Sequence, residues 1–427
     1  MLTQPDYTRW QRLLDLPLPR WVRVRQTFRA PQEPSVAAAV RRELARPEIR
    51  QYLRPELSVA IGVGSRALAS MPVLVAAAVS FLRETGCHPF IVPAMGSHGG
   101  ATVEGQRQLL AGYGITEESV GAPIRSSMEV VEIGRLGNNL PLYFDRLALQ
   151  ADLVIPLNRI KPHTAFRGAV ESGLLKMLAI GLGKHAGAQS LHRDGFPHLS
   201  QHLCEAYPIL CQQVPFRFGL ATVENAREEV AHVEAIAAEA LLPREAALLQ
   251  SARQWMARLR FEQLDVLVVG YLGKNVSGSG MDPNVTGRFA SGIQGDIAIG
   301  KIAVLNLTPE THGNALGLGM ADVTTERVVR KMDLDSTWIN AFTSTVLPGT
   351  RIPIFMPDDR MAIQFALRTC NQVDPQQVRM ICIRNTLELE TIAVSEALWG
   401  EMGGRPEYER LSEAEFMPFD PDGRLIL

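Results

Sequence analysis

Histidine and lysine side chains that could carry chemistry are concentrated at two strand-to-loop junctions. His98 follows an apolar, strand-like run and lies beside glycines, so a ligand can reach its imidazole. His163 follows a second such run, with Lys161 beside it and Lys176 and His192 further along. Imidazole exchanges protons near neutral pH, and a desolvated lysine amine can attack an electrophile. Two junctions that each deliver a histidine predict an acid–base site in an α/β protein.

The elements that position these residues alternate between strands and helices. Apolar runs predict strands at 57–63, 88–93, 151–156 and 215–223, and later at 265–270, 302–306, 352–356 and 379–384. Helices are predicted at 34–46, 73–82, 174–182, 236–262 and 360–369. This order predicts the α/β class: two α/β lobes with mostly parallel sheets and an active-site cleft between them. The lobes are placed at 1–262, which ends in a long connector helix, and at 263–427.

Several of these residues also have plainer interpretations. Lys176 lies in an apolar run, where a lysine often extends from a buried helix face to solvent. The glycine-rich loop 273–288 suits substrate binding, with Arg288 as a carboxylate clamp, but a flexible interdomain loop fits the same residues. His198 and His202 have the i, i+4 spacing of a metal pair on one helix face, although no carboxylate partner is evident nearby.

Composition argues against several classes of protein. The formal net charge is −2, and no recognised nucleic-acid module is present, so we expect no nucleic-acid partner. The five cysteines include no C-x-x-C pair, which argues against a disulfide framework and a thiolate metal site. No run approaches the ~20 apolar residues that a membrane-spanning helix needs. We therefore expect a cytoplasmic protein with reduced thiols and no membrane partner.

Three motifs resemble the nickel-pincer-nucleotide lactate racemases. They are MGSHGGAT at 95–102, Lys161-Pro162-His163, and Lys176 followed by His192 at the family's spacing. The resemblance is clear between residues 55 and 200 and looser toward the C-terminus. It implies a cofactor-binding N-terminal α/β domain, 1–262, and a C-terminal α/β domain, 263–427, that closes over the substrate.

The resemblance also implies the chemistry of individual side chains. Lys176 is similar to the lysine that forms a thioamide with the cofactor, the nickel-pincer nucleotide pyridinium-3,5-bisthiocarboxylic acid mononucleotide. His192 is similar to the protein ligand of nickel, and two sulfurs and one carbon of the pincer would complete a square-planar site, which suits Ni(II). His98 and His163 resemble the general acid–base pair.

Binding roles are implied for a further set of residues. Ser65 and Gly96 are expected near the cofactor, and Arg66 near the nucleotide or the substrate. Lys161 and Arg288 are expected to bind the substrate. The implied activity is that of a racemase or epimerase, which inverts the α-carbon of a small 2-hydroxy acid by hydride abstraction and return. The resemblance leaves open a homo-oligomer.

The chain departs from the family pattern in ways that affect the substrate. Val63 stands where the family has an aspartate, and the segment from His163 to Lys176 is longer than in the lactate enzymes. The tyrosine, glutamine and lysine expected in the C-terminal domain are not evident at 282–288. These departures favour a larger 2-hydroxy acid, such as a sugar acid, over lactate. Two alternatives stay open: a metal-dependent hydrolase that uses the histidine cluster His185–His202, and a non-catalytic nucleotide- or metal-binding homologue.

Overall fold

Strands and helices alternate along most of the chain. The computed structural model describes residues 6–65, 68–371 and 374–427. The strands in these ranges are β1 (Trp21–Gln26), β2 (Ser58–Val63), β3 (His88–Pro93), β4 (Val130–Arg135), β5 (Pro141–Asp145), β6 (Leu153–Arg159), β7 (Phe218–Glu224), β8 (Val230–Ala237), β9 (Gln263–Leu272), β10 (Ala298–Leu307), β11 (Val323–Thr325), β12 (Ile354–Met356), β13 (Met380–Ile383), β14 (Thr391–Ser395) and β15 (Tyr408–Arg410).

The α-helices are of very different lengths, and several are single turns. In the same ranges they are α1 (Tyr7–Leu13), α2 (Val36–Leu44), α3 (Pro47–Arg50), α4 (Met71–Glu84), α5 (Val103–Gly112), α6 (Glu117–Val120), α7 (Arg146–Leu149), α8 (Leu174–Lys176), α9 (Lys184–His192), α10 (Leu199–Gln213), α11 (Leu241–Trp255), α12 (Pro283–Thr286), α13 (Glu326–Lys331), α14 (Leu334–Ser344), α15 (Asp359–Arg368) and α16 (Glu396–Met402). A π-helical turn, Met177–Gly181, directly follows α8. Within the described ranges, no helix has the length and apolar content that crossing a bilayer requires.

Contacts within the chain define two units. The first unit is Arg29–Met256, and the second combines Met1–Phe28 with Ala257–Leu427. The predicted division at residue 262 placed the N-terminal segment in the first lobe. Strand β1 instead pairs antiparallel with β14 and β15, so its hydrogen bonds assign this segment to the second unit.

The first unit is built on a five-stranded sheet in the order β3-β2-β6-β7-β8. β3, β2, β6 and β7 are parallel, and β8 joins the edge antiparallel to β7. Val59, Ile61 and Val63 of β2 alternate toward one face and pack into a core that includes α4. Gly62 points to the opposite face, where it meets Met177 and Leu182. The helical segment that follows Lys176 therefore packs directly on this face of the sheet.

The second unit is built on an eight-stranded sheet in the order β12-β11-β10-β9-β13-β14-β1-β15. Its first five strands are parallel, whereas β14, β1 and β15 add to the edge in antiparallel pairs. Alternate residues of β9 enter separate cores on the two faces, with Leu267 and Val269 on one and Val266 and Val268 on the other. A sheet covered on both faces explains why its strands are continuous apolar runs in the sequence.

These sheets confirm the predicted α/β class and the mostly parallel strands. The strands predicted at 57–63 and 88–93 match β2 and β3 to within one residue, and the strand predicted at 302–306 lies inside β10. The long helix predicted at 236–262 is wrong at its start, because Val230–Ala237 is strand β8 and the α-helix begins at Leu241. That helix, α11, packs on β7 and α8 of the first unit, so it is not an isolated connector.

A buried ion pair fixes the loop that follows β3. The side chains of Lys184 and Asp145 are fully buried, with Nζ 3.1 Å from Oδ2. Nζ also donates to the carbonyl oxygen of Pro93, at 2.5 Å, and lies 3.3 Å from Oε1 of Gln106. Burial lowers the pKa of Lys184, and Asp145 opposes that shift. The charged amine therefore depends on the carboxylate beside it.

Replacing Lys184 with methionine should destabilise the first unit by about 3–5 kcal/mol, because it leaves Asp145 as an unpaired buried charge. Urea unfolding of the variant, followed by a signal from the first unit, measures this loss. Arg135→Met is the matched control, because Arg135 pairs with Glu132 at the surface and its loss should cost far less. Equal losses in the two variants would contradict this role of the buried pair.

Candidate functional site

Three neighbouring parallel strands bring the predicted site residues to one edge of the first sheet. β2 ends just before Ser65, β3 leads into the loop of His98, and β6 leads into Lys161 and His163. Since β3, β2 and β6 are adjacent and parallel, their carboxyl ends lie side by side. This edge is where α/β proteins bind ligands.

The loop of His98 is held by side-chain hydrogen bonds to its backbone carbonyl groups, and the His98 ring contacts a residue that follows β2. Oγ of Ser65 lies within hydrogen-bonding distance of Nδ1 of the exposed His98 ring. The amide of Gln106 donates to the carbonyl oxygens of Gly96, at 3.1 Å, and of His98, at 3.3 Å. Gly96 has a φ of 56°, and a Cβ built there would lie 3.5 Å from Ala188 of α9. The left-handed backbone favours glycine at this position, whereas a Cβ would make only an ordinary contact with Ala188.

The loop of His163 is closed at its base by a two-residue backbone pair. Lys161 and Ser172 exchange N–H···O hydrogen bonds of 3.0 and 3.2 Å. The imidazole of His163 packs against the buried ring of Phe166, with ring centroids 4.3 Å apart. This packing restricts the ring, so the loop presents a histidine of defined orientation.

His163 also contacts Lys176 directly, and a backbone donor indicates the protonation of its ring. The backbone N–H of Ala165 donates to Nδ1, at 3.0 Å, and Nε2 lies 2.7 Å from Nζ of Lys176. Because an N–H group can only donate, Nδ1 accepts, and a neutral ring carries its proton on Nε2. The lysine amine, the group that a covalent attachment would use, therefore lies next to Nε2 of this ring.

Lys176 occupies the last position of α8, at the surface of a buried helical segment. Leu174 and Leu175 are fully buried, whereas Lys176 is partly exposed. Asn158 at the end of β6 donates its amide to the carbonyl oxygen of Gly173, at 3.0 Å, which ties the start of the helix to the sheet. The apolar run therefore serves as packing, and the amine reaches His163.

His192 at the end of α9 is oriented so that Nε2 can act as a ligand donor. Its Nδ1 lies 2.6 Å from the carbonyl oxygen of Ala188, so Nδ1 carries a proton and Nε2 of the neutral ring has a lone pair. Burial lowers the pKa of His192, an effect that the hydrogen bond to Ala188 opposes. The ring of Phe196 lies near both histidines, with its centroid 5.3 Å from that of His192 and 6.0 Å from that of His163.

Val63 cannot replace the aspartate of the family motif. Its side chain is fully buried in the core on the face of β2 opposite Gly62, which contacts Met177. The neighbouring residue Ser65 supplies a polar contact to His98 instead. Arg66, the other residue of this motif for which we predicted a role, lies outside the described residues.

The two predicted substrate-binding residues have different surroundings. Lys161 is partly exposed and lies near Glu228, whose pKa is raised by desolvation and by the charge of Glu224 and lowered by the charge of Lys161. Arg288 belongs to the second unit, where Nη1 lies 2.6 Å from Oδ2 of Asp322 and 3.0 Å from the carbonyl oxygen of Met320. These contacts give Arg288 a structural role in its own unit, and its role toward a substrate stays a prediction.

The histidine cluster of the hydrolase alternative does not form a multidentate metal site. Rings of His198 and His202 stack with centroids 6.2 Å apart, and Nε2 of His202 lies 3.3 Å from Oδ2 of Asp194. His185 is exposed on α9. Across the described ranges, no group of three or more His, Cys, Asp or Glu side chains is arranged to hold a metal ion. A zinc site of the kind used by hydrolases needs three such ligands.

Four residues that support the site were not predicted from the sequence. Three of them, Phe196, Glu171 and Glu245, contact the predicted residues or the backbone beside them, and a fourth, Arg253, contacts Glu171. The placement of Phe196 between Gly195 and Pro197, shortly after His192, could have drawn attention to it. The charged residues gave no local signal, because Arg253 and Glu245 are on a helix distant in sequence.

Comparisons with known proteins agree with this fold. The family model described as the lactate racemase N-terminal domain matches residues 7–200. The structure of the lactate racemase apoprotein from Thermoanaerobacterium thermosaccharolyticum superposes with a TM-score of 0.53 at 14% sequence identity, covering 86% of this chain and 94% of that one. A search of curated protein sequences finds no match.

The chain is thus an α/β protein whose residues 7–200 match the lactate racemase N-terminal domain. The structural match extends the likeness of the fold over most of the chain. The resemblance first drawn from the histidine and lysine motifs is confirmed at the level of the family.

In their neutral forms, His163 and His192 should carry the proton on different ring nitrogens. We expect ¹⁵N NMR of histidine-labelled protein at neutral pH to find the proton of His192 on Nδ1 and that of His163 on Nε2, with His192→Ala and His163→Ala assigning the signals. His192 should titrate below the ordinary value of ~6.5, since burial disfavours its charged form and more acid is needed to protonate it. The same tautomer at both residues would contradict the hydrogen bonds described above.

Proposed function

We propose that this protein is a racemase or epimerase that inverts the α-carbon of a 2-hydroxy acid with a nickel-pincer nucleotide bound to Lys176. The observation that carries the proposal is the cluster of Lys176, His163 and His192, with Nζ 2.7 Å from one imidazole and the other imidazole oriented as a donor. The lactate racemase domain match supports the same class of reaction.

The residues present fit this cofactor. A pincer that supplies three donors of its own needs one ligand from the protein, and Nε2 of His192 suits it because Nδ1 is committed to Ala188. The primary amine of Lys176 suits the covalent attachment. When bound, the cofactor would supply transient acceptance of the α-hydride of the substrate.

The chain's own residues would handle the protons of the reaction. One histidine of the pair His98 and His163 would remove the proton of the substrate hydroxyl group, and the other would return a proton when the antipode forms. Each ring has a partner that limits its rotation, Ser65 for His98 and Phe166 for His163. An exposed ring and a partly exposed ring could both exchange protons with solvent between turnovers.

The proposed substrate is a 2-hydroxy acid larger than lactate, such as a sugar acid. The sequence departures at Val63 and in 282–288 favour this class over lactate. Lys161 at the edge of the site would bind the carboxylate, with its charge balanced by Glu228 when no substrate is present.

Loading with the cofactor should be visible in the intact mass. After co-expression with proteins that synthesise the cofactor, we expect a mass adduct on Lys176 and nearly one nickel per chain. Lys176→Arg should lose the adduct, and His192→Ala should keep the adduct but lose nickel. A bare chain without nickel, beside a loaded lactate racemase from the same host, would contradict the proposal. A loaded chain without turnover on any 2-hydroxy acid would favour the non-catalytic alternative.

Each acid–base histidine should be necessary for turnover by the loaded protein. We expect His98→Ala and His163→Ala each to lower the racemisation rate by on the order of 10²–10⁴-fold. His88→Ala is the matched control, because His88 begins β3 with an exposed ring that contacts Glu56. Wild-type rates in both single variants would show that the assignment of the pair is wrong.

A further inference from the structure

A buried carboxylate holds the loop of His163. The side chain of Glu171 has no exposed surface, and Oε2 accepts the backbone N–H of His163 at 2.6 Å. Its Oε1 accepts the N–H of Gly168, at 3.3 Å, and Arg167 lies 3.4 Å from Oε2. One side chain therefore fixes both ends of the turn that follows His163. A carboxylate buried in this way needs charged or N–H partners to offset its lost hydration.

The strongest of these partners comes from helix α11. Nη2 of Arg253 lies 2.5 Å from Oε1 of Glu171, and about a third of the arginine side chain is exposed. The guanidinium of Arg253 thus holds the carboxylate that accepts the backbone N–H of His163.

The same helix reaches the start of α8 through a second buried carboxylate. Glu245 lies roughly two turns before Arg253 on α11 and is fully buried. Its Oε2 accepts the backbone N–H of Leu175 at 3.0 Å, which satisfies one of the unpaired donors in the first turn of the helix. A Cβ on Gly173 would lie 2.2 Å from Oε1, so only glycine allows this approach. Burial raises the pKa of Glu245 to about 7, opposed by the N–H groups of Leu175 and Leu174.

We propose that helix α11, through Arg253 and Glu245, positions His163 and Lys176 relative to each other. Nε2 of His163 and Nζ of Lys176 are 2.7 Å apart. Arg253 acts on His163 through Glu171 and the loop, and Glu245 acts on Lys176 through the backbone at the start of α8. They are positioning residues, since neither touches Nε2 or Nζ in these contacts. The catalytic meaning of the inference rests on the proposed function, but the geometry can be tested without it.

The direct test compares Arg253→Met with Arg244→Met. Arg244 is on the same helix and pairs with Glu234 at the surface, 2.6 Å away, so its loss removes a similar charge without a link to Glu171. In cofactor-free protein, hydrogen exchange should accelerate within 161–172 for Arg253→Met alone, with the rest of the first unit unchanged. Unchanged exchange in 161–172, or faster exchange throughout the unit, would overturn the positioning role.

A second comparison addresses Glu245. Glutamine keeps one oxygen that can accept the N–H of Leu175, whereas leucine removes the acceptor. Glu245→Gln should therefore largely preserve the position of Lys176, and Glu245→Leu should change it. The readout is the labelling rate of Lys176 by an amine-specific reagent in cofactor-free protein, measured against the exposed Lys331 of the second unit in the same sample. We expect a changed ratio in the leucine variant and rescue by glutamine. Equal ratios in all proteins would overturn the inference, and if the leucine variant does not fold, the ratio in Arg253→Met decides instead.

Turnover of the loaded protein separates positioning from stability. A displaced His163 should lower kcat by on the order of 10²-fold, with little change in KM and with nickel content retained. The exchange and labelling results do not require any enzymatic activity. If they agree with the prediction while no 2-hydroxy acid is turned over, the proposed function fails and the positioning of His163 and Lys176 by α11 stands.

Discussion

The contact between Nζ of Lys176 and Nε2 of His163 depends on backbone N–H groups held by buried carboxylates. A loop and a helix start both expose N–H groups that have no partner in regular secondary structure. Glu171 and Glu245 accept from one such group at each end of the contact. Each carboxylate in turn depends on burial among groups that only the folded chain brings together. The positions of the Lys176 and His163 side chains are therefore set by the backbone segments that carry them.

The loop of His98 is supported by different chemistry. There, a buried amine and an amide act as donors to carbonyl oxygens, with Lys184 on Pro93 and Gln106 on Gly96. Asp145 keeps the charge of Lys184 paired inside the protein. Because both loops follow parallel strands of one sheet, separate supports can bring them to the same edge. Ser65 at the end of the middle strand then supplies the polar contact to His98 that Val63 cannot make.

The sequence was sufficient for the parts of the fold that have local signals. Apolar runs located the parallel strands, and histidines after two of them indicated the sheet edge on which Ser65, His98 and His163 lie. Strand β1 was not predicted, because its partners β14 and β15 are near the other end of the chain. The last two residues of strand β8 were included in the helix predicted at 236–262, and the rest of β8 was not predicted, since its alanines have helical propensity that pairing with β7 overrides.

The supporting groups of the site could not be predicted for a related reason. Glu245 and Arg253 look like ordinary surface charges on an amphipathic helix, and only the tertiary fold buries one and pairs the other with Glu171. Phe196 becomes informative only when its ring is seen next to those of both His163 and His192. The residue types that carry chemistry are visible in sequence, but their supports are properties of packing.

The most direct test of the account is the origin of the α-hydrogen in the product. Protein loaded with cofactor should invert a protiated 2-hydroxy acid in D₂O, and the product should keep its α-protium, because hydride removed from the substrate is returned to it. A panel that runs from lactate to sugar acids supplies the substrate. Retention of α-protium in the inverted product is the result we predict. Deuterium at the α-carbon would mean that a base exchanges that hydrogen with solvent, and would contradict the account.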